Sequence, residues 1–306
     1  MTMTLFTGLS AFPLTPMDDE GRLDADLLGR TLDRIVTAGA DSIGLLGSTG
    51  GYVYLTPEER KRTLRAAVEC VDGRTPLIVG VGALRTDTAE DLARDAKAMG
   101  ADGLLLAPVS YQPLTEEEVF RHFEAVAGDL PLCIYNNPGT TRFSFSPDLI
   151  ARLAEIPNVA AVKMPLPANG DYAGELRRLR TMTPGGFAIG YSGDWGAKDA
   201  LLAGVDSWYS VAAGLLPGPA LALVRAAQAG NAAEAERIDS AFQPLWALFR
   251  EFGSYRVMFM LAEVLGIGHA SPPRPILPLP EACRGRVQAA LEHLVDVVGD
   301  RAESPI

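Results

Sequence analysis

The chain has 306 residues, of which 48% are hydrophobic and 21% charged, so it can bury one large core and carry an appended segment. Its formal net charge of -11 argues against nucleic acid or an anionic membrane as a partner, because both attract clusters of Lys and Arg. No apolar stretch reaches the ~20 residues of a membrane span, and residues 1–6 lack the pattern of a signal peptide. We therefore expect a cytoplasmic protein that acts on a small molecule.

Short apolar runs alternate with amphipathic helical patterns about every 25 to 30 residues, which is the spacing of repeated strand–helix units. The eight predicted strands are Gly8–Leu14, Ser42–Leu46, Pro76–Val81, Gly103–Ala107, Leu132–Asn136, Val159–Met164, Phe187–Tyr191 and Ser207–Val211. Helices between them are predicted over Ala25–Thr37, Pro57–Val71, Ala89–Met99, Glu116–Val126 and Pro147–Glu155. Capping residues followed by proline, as in Thr56-Pro57 and Ser146-Pro147, mark two of the helix starts.

Eight such units without a GxGxxG motif after the first strand predict an α/β fold of the (β/α)8 TIM-barrel type rather than a doubly wound sheet. After about Gly230 the pattern is helical only, with helices predicted over Ala232–Arg250, Tyr255–Leu265 and Glu281–Val298. The sequence thus predicts a catalytic barrel at residues 1–229 and a three-helix C-terminal extension at 230–306. The apolar positions of the extension could cover the barrel or meet another subunit.

A lysine interrupts the sixth predicted strand, where Lys163 lies within the apolar run Asn158–Pro165. Burial disfavours the charged form of an amine, and a neutral amine can attack a carbonyl to form a Schiff base. The alternative is a strand-end lysine whose amine reaches water. Of the four lysines in the chain, this is the one predicted on a strand, and the others fall in helical patterns.

Polar groups follow several of the predicted strands, and catalytic groups in barrels gather where the strands end. The turn Gly47–Gly51 follows the second strand, and Ser110 and Tyr111 follow the fourth. Tyr135 closes the fifth strand and Lys163 the sixth. The sequence therefore predicts an amine, two phenols and a hydroxyl-rich glycine turn at one mouth.

Two of these groups allow a second interpretation. The hydroxyls and backbone N–H groups of Ser48 and Thr49 suit a carboxylate or phosphate, although they could instead cap the next helix. A phenol at Tyr135 could move protons near a Schiff base, or it could be an ordinary barrel tyrosine bonded to the backbone.

Cysteines and histidines are few and far apart in the chain, at Cys70, Cys133, Cys283, His122, His269 and His293. Their spacing fits neither a disulfide framework nor a metal motif such as HExxH or CxxC. We expect reduced packing cysteines and no metal.

Several spaced motifs occur in a characteristic order, namely Phe12–Pro16, Gly47–Gly50, Leu55–Arg60, Tyr135–Gly139, Val162–Lys163, Ser192–Asp194 and Pro272–Pro280. Over nearly its whole length the chain resembles the dihydrodipicolinate synthase/N-acetylneuraminate lyase family of pyruvate-dependent class I aldolases. The resemblance implies that Lys163 forms the Schiff base and Tyr135 relays protons. It also implies that the Ser48-Thr49-Gly50 turn binds the carboxylate of pyruvate or another 2-keto acid.

The resemblance also has consequences for assembly and cofactors. In this family a tyrosine near the end of the fourth strand reaches the site of a neighbouring subunit. Ser110 stands at that place here, and Tyr111 is one position later. The resemblance implies a homotetramer built from dimers, with no cofactor beyond the lysine imine.

The match weakens on the side of the second substrate. Where the family's synthases carry an arginine for the carboxylate of aspartate semialdehyde, this chain has Thr140, with Arg142 two residues later. A common glutamate after the glycine turn is Gly51, and bulky Trp208 and Tyr209 replace aliphatic residues near the eighth strand, so Tyr209 is a candidate substrate contact. These changes suggest a retained pyruvate half and an altered acceptor half.

Four activities remain open at this point. The first is a Schiff-base lyase or aldolase that joins or releases pyruvate and an aldehyde. A dehydratase of 2-keto-3-deoxy sugar acids would use the same imine and expel water. The lysine-biosynthetic synthase of the family and a non-catalytic barrel that binds keto acids are the others. A phosphate-binding isomerase is less supported, because residues 191–194 and 212–214 lack a phosphate-binding pattern.

Overall fold

Eight parallel strands form a closed barrel in the computed structural model, which describes residues 5–18 and 20–298. Each strand pairs with the next along the chain, and the last pairs with the first through Gly8 and Ser207. The strands are β1 Gly8–Ala11, β2 Ser42–Leu45, β3 Leu77–Gly80, β4 Gly103–Leu106, β5 Leu132–Tyr135, β6 Val159–Met164, β7 Ala188–Tyr191 and β8 Ser207–Ser210. The predicted TIM barrel is confirmed.

Helices connect the strands and continue beyond the barrel. They are α1 Ala25–Ala38, α2 Pro57–Val71, α3 Thr86–Ala98, α4 Glu116–Val126, α5 Pro138–Thr141, α6 Pro147–Ala154, α7 Tyr172–Met182, α8 Ala197–Leu202, α9 Pro217–Gln228, α10 Ala232–Phe252, α11 Ser254–Val264 and α12 Arg284–Val298. The predicted start of α2 is confirmed, because Thr56 and Glu59 form a capping box there. Ser146 likewise caps α6 by accepting a hydrogen bond from the N–H of Leu149.

The predicted bounds differ from the structure in a few places. The first strand ends at Ala11 rather than Leu14, because Pro13 cannot donate to a sheet. Helix α3 begins at Thr86 rather than Ala89, and the short helix α5 was not predicted. The predicted third helix of the extension begins as a separate 3-10 turn at Glu281–Cys283. The segment considered for a signal peptide includes residues 1–4, which, like 299–306, lie outside the described residues.

Side chains on each strand alternate between the barrel interior and the layer under the helices. Cys133 and Tyr135 on β5 pack in the barrel interior, whereas Leu132 and Ile134 pack in the layer under the helices. On β6, Ala161 is interior and Val162 is not. Continuing the alternation one residue places Lys163 inside the barrel, at the end where the strands finish.

The predicted extension forms three helices that pack on one another and on α9. Helix α10 contacts α9, α11 and α12, and the rings of Phe242 and Trp246 stack in it at 4.5 Å. The turn into α11, at Ser254 and Tyr255, lies over the mouth of the barrel. Among the described residues, no helix combines the length and apolar character needed to cross a bilayer.

His122 on α4 should make stability depend on pH. Its side chain is 8% exposed, Nδ1 lies 3.0 Å from Thr86 Oγ1, and Nε2 has no partner among the described residues. Burial lowers the pKa of His122 below its ordinary value of 6.5. Below about pH 6.5 the unfolded chain therefore binds more protons than the folded chain, and stability falls by at most about 1.4 kcal/mol per pH unit.

Urea unfolding of wild type and His122→Gln between pH 7.5 and 5.5 measures this dependence. As pH falls, the unfolding free energy of wild type should decrease more than that of His122→Gln. His293→Gln, at an exposed position on α12, is the matched control and should show no such shift. Parallel curves for wild type and His122→Gln would contradict the assignment.

Candidate active site

A cavity of about 850 Å³ opens at the carboxyl ends of the strands. Lys163, Tyr135, Ser48, Thr49 and Thr140 line it together. Its volume falls within the range of roughly 300–1,000 Å³ typical of small-molecule sites. The structure thus brings five of the ten predicted site residues into one cavity at the predicted end of the barrel.

Lys163 lies in this cavity with only 4% of its surface exposed. The register of β5 and β6 places it directly beside Tyr135. Its Nζ lies 3.8 Å from the centroid of the Phe12 ring and 4.2 Å from that of Tyr135. The face of an aromatic ring attracts a cation, but it does not form a conventional hydrogen bond with an amine. The amine is therefore enclosed by rings and open to the cavity.

The position of Phe12 depends on a missing side chain on the neighbouring strand. A Cβ atom added to Gly44 would lie 2.2 Å from the Phe12 ring, far inside van der Waals contact. Glycine at this position therefore lets the ring move in over the strand and reach Lys163. Below them, Tyr209 meets Phe12 edge to face at 6.0 Å and closes the barrel interior.

The hydroxyl of Tyr135 belongs to a small hydrogen-bond network. Tyr135 Oη lies 3.2 Å from Ser48 Oγ. The Asn137 side chain donates from Nδ2 to Tyr135 Oη at 2.9 Å and to Ser48 Oγ at 3.3 Å. One amide thus holds together the phenol at the end of β5 and a hydroxyl from the turn after β2.

The glycine turn after β2 is entered through a strained residue. Leu46 has a φ of 56°, a left-handed conformation that is unfavourable for a leucine. The backbone bonds of the turn run from Gly51 N–H to Ser48 O and from Tyr52 N–H to Gly47 O. Among the described residues, the N–H groups of Ser48 and Thr49 donate to no carbonyl of the turn. Both residues line the cavity, where Ser48 Oγ is bonded to Tyr135 and Asn137.

A buried carboxylate ties the ends of β7 and β8 together beside the cavity. Asp194 accepts hydrogen bonds from Trp208 Nε1 at 3.0 Å and from the N–H groups of Val211 and Ala212 at 3.2 and 2.7 Å. Burial raises the pKa of Asp194 to about 6, although these bonds and the charge of Lys163 oppose the rise. Asp194 is thus a buried acidic group that lines the same cavity as Lys163.

The other predicted site residues do not line this cavity. Gly50 packs against the backbone of Leu46, and Tyr209 is buried inside the barrel beneath the cavity. Ser110 lines a separate surface cavity of about 430 Å³. Tyr111 is 87% exposed, and Arg142 is exposed at the end of α5, away from the cavity lining. The second phenol predicted at the mouth is therefore not supplied within one chain.

Among the described residues that line the cavity, none is a cysteine or a histidine. Within residues 5–18 and 20–298, no three His, Cys, Asp or Glu side chains are grouped to hold a metal. All three cysteines are free thiols. Burial raises the pKa of Cys133, which lies in the barrel interior, to about 12. It is therefore a packing residue, as expected for it from the sequence.

Sequence reasoning missed Asn137, although an asparagine two residues after a strand-end tyrosine was a usable signal. We expect Asn137→Ala to lower kcat about two- to tenfold, the effect of losing one hydrogen bond to the phenol and one to Ser48, with little change in KM. Asn137→Asp should be worse, because a carboxylate accepts where the amide donates. Steady-state kinetics check both variants, and an unchanged kcat in both would remove Asn137 from the site.

A buried lysine beside a tyrosine, at the carboxyl end of a (β/α)8 barrel, is the arrangement expected of class I, pyruvate-dependent lyases and aldolases. The model of the Dihydrodipicolinate synthetase family matches residues 5–294. The chain belongs to this family.

Named relatives agree with the family. The chain is 36% identical over 286 residues to a 4-hydroxy-tetrahydrodipicolinate synthase of Methylococcus capsulatus, a match that covers 91% of this chain and 95% of the relative. A crystal structure of a dihydrodipicolinate synthase from Agrobacterium tumefaciens is 62% identical, with a TM-score of 0.94 and coverage of 95% and 99% of the two chains. A chloride-inhibited dihydrodipicolinate synthase from Acinetobacter baumannii, complexed with pyruvate, is 28% identical with a TM-score of 0.87, and the match covers 96% and 100%.

Proposed function

We propose that this enzyme forms an imine between Lys163 and pyruvate or another 2-keto acid, and then makes or breaks a bond to the adjacent carbon. The observation that carries the proposal is the buried Lys163 amine, enclosed by rings and paired in register with Tyr135. The pyruvate bound by the relative from Acinetobacter baumannii supports pyruvate as the keto acid.

The first step is attack of the neutral Lys163 amine on the keto carbon. The keto acid's carboxylate binds at the glycine turn, where Ser48 and Thr49 line the cavity and their N–H groups donate to no carbonyl of the turn. Backbone donors at a fixed turn suit an anion because they need no reorganisation when it binds. This contact fixes the keto carbon near Nζ.

Tyr135 then moves the protons. Its hydroxyl can give a proton to the departing water of the carbinolamine and take one from the carbon beside the imine. The contacts from Asn137 and Ser48 hold the phenol oxygen in place. The buried carboxylate of Asp194 lines the same cavity and is the acidic group there that can offset the positive charge of the iminium.

The remaining expectations belong to the same proposal. The imine serves as the electron sink, so the reaction needs no metal or other cofactor. Ser110 and Tyr111 would contribute only by meeting a second copy of the chain, as in the expected homotetramer. We also propose that residues 1–229 form the catalytic barrel and residues 230–306 its extension. The protein is proposed to be cytoplasmic.

A second candidate is 4-hydroxy-tetrahydrodipicolinate synthase itself, the name carried by the relative from Methylococcus capsulatus. Against it, Thr140 lines the cavity where the family's synthases place an arginine, and Arg142 does not reach the lining. Product analysis separates the possibilities. Pyruvate plus an aldehyde indicates a lyase, a dehydrated keto acid of the same carbon count indicates a dehydratase, and turnover of aspartate semialdehyde indicates the synthase.

Borohydride trapping tests the imine. Wild-type enzyme incubated with pyruvate and borohydride should gain one reduced adduct, and peptide mass spectrometry should map it to Lys163. Lys163→Ala should gain none, whereas Lys198→Ala, a helix lysine paired with Glu236, should still be labelled at Lys163. If pyruvate gives no adduct, larger 2-keto acids are tried. Continued absence would favour the non-catalytic barrel.

A further inference from the structure

The cavity extends well beyond the space around Lys163, and its outer part has an apolar wall. Tyr54 and Trp195 line its mouth, with 47% and 42% of their surfaces exposed. Leu166, Tyr255 and Ile276 complete the wall. Apolar side chains that are exposed together at the mouth of a site usually mark a binding surface, whereas single exposed apolar residues are common and have no such meaning.

Charged groups are confined to the inner end of the cavity. Among the described residues that line it, Lys163 is the one cation and Asp194 the one carboxylate. Asp194 already accepts three hydrogen bonds, and Lys163 is the proposed imine residue. A carboxylate or ammonium entering the outer part would lose water and gain no counter-ion, which is costly.

The apolar wall includes the ring of Tyr255 because a neighbouring residue, Gly51, has no side chain. Gly51 has a φ of 62°, and a Cβ atom there would lie 2.6 Å from the hydroxyl oxygen of Tyr255. The glycine thus admits a ring from the first turn of α11. Edge-to-face contact with Phe259, at 5.2 Å, holds the Tyr255 ring in position.

The geometry points to an acceptor that is an uncharged aldehyde with an apolar, preferably aromatic, substituent; this inference rests on the proposed imine function. The pyruvate imine loses a C3 proton to Tyr135 and becomes an enamine. Its C3 electron pair forms a bond to the aldehyde carbon, and the aldehyde oxygen takes the proton back from Tyr135. Water then hydrolyses the iminium, which frees the Lys163 amine and releases a 4-hydroxy-2-keto acid. Cleavage is the reverse.

Acceptor competition tests the inference. With pyruvate fixed, kcat/KM for benzaldehyde should exceed that for aspartate semialdehyde by about 100-fold or more, because the latter carries two charges with no partners in the wall. Glyceraldehyde, neutral but polar, should fall between them. A borohydride adduct at Lys163 with equal or better use of aspartate semialdehyde overturns this inference alone. Absence of the adduct with every keto acid overturns the imine function and this inference with it.

Trp195→Ala tests the wall itself. Because Trp195 is partly exposed, its truncation should leave the fold intact, and the KM for benzaldehyde should rise about tenfold relative to the KM for pyruvate. Leu202→Ala, at a partly exposed apolar residue on α8 outside the cavity lining, is the control and should change neither constant. An unchanged benzaldehyde KM in Trp195→Ala would overturn the assignment of this wall.

Discussion

Replacing Lys163 with methionine should abolish turnover without lowering the stability of the fold. Loss of a covalent nucleophile reduces kcat by about 10⁴-fold or more. The stability prediction follows from burial, because Nζ has no hydrogen-bond partner among the described residues and an apolar chain of similar length avoids the cost of desolvating an amine. We expect the unfolding free energy to stay equal or rise by roughly 1 kcal/mol, since lost ring contacts offset part of the gain.

Urea unfolding and kinetics measured on the same preparations check this result. Lys198→Met is the matched control, because Lys198 is an ion-paired helix lysine with Nζ 2.7 Å from Glu236. It should keep full activity. A strongly destabilised Lys163→Met would mean that the amine serves the fold, and measurable turnover of the keto acid would remove it from the chemistry.

Tyr135→Phe should have the second largest effect, lowering kcat by about 10²- to 10⁴-fold. The substitution keeps the ring that lies 4.2 Å from Lys163 Nζ and removes the oxygen that interacts with Ser48 and Asn137. Imine formation should become slower but still reach completion, so the borohydride adduct should persist at long incubation.

Tyr191→Phe provides the comparison for a strand tyrosine without a catalytic position. Tyr191 closes β7 with its ring outside the barrel interior, and its hydroxyl donates to Glu175 on α7. We expect it to lose about 1 kcal/mol of stability and to keep its kcat. Equal losses of activity in the two variants would indicate a general effect on packing instead of a proton relay.

The barrel could be predicted from sequence because each strand is a short apolar run between helix signals, and the same alternation placed Lys163. A lysine in the run Val159–Met164 must face either the interior or the helix layer, and both are apolar. The predicted strand and the observed strand have the same bounds. The functional interpretation of Lys163 therefore depended on a local pattern that the fold preserves.

Contacts between distant segments were beyond this reasoning. Asn137 contacts Ser48 across 89 residues of sequence, and no local pattern reports the direction of an amide in a loop. Tyr255 reaches the cavity because Gly51 lacks a side chain, a match between two segments about 200 residues apart. The sequence left open whether the extension covers the barrel, and these contacts place the first turn of α11 at the mouth.

Residues near the mouth in sequence were also not all near it in space. Tyr111 follows strand four, yet its ring is exposed on one chain, and a loop position does not fix the direction of a side chain. Arg142 adopts a φ of 56° at the end of α5, which turns the chain after the tyrosine motif. Whether a second copy of the chain uses Tyr111 stays a prediction.

The outer wall of the cavity has a consequence for how this barrel can diversify. Tyr54, Trp195 and Tyr255 come from two 3-10 turns and the start of a helix, whereas Lys163 and Tyr135 belong to paired strands. Changes in the first group do not disturb barrel closure, so mutation can explore them at little cost in folding. Laboratory evolution of new acceptors should therefore concentrate its accepted substitutions in these turns and leave the strand pair invariant.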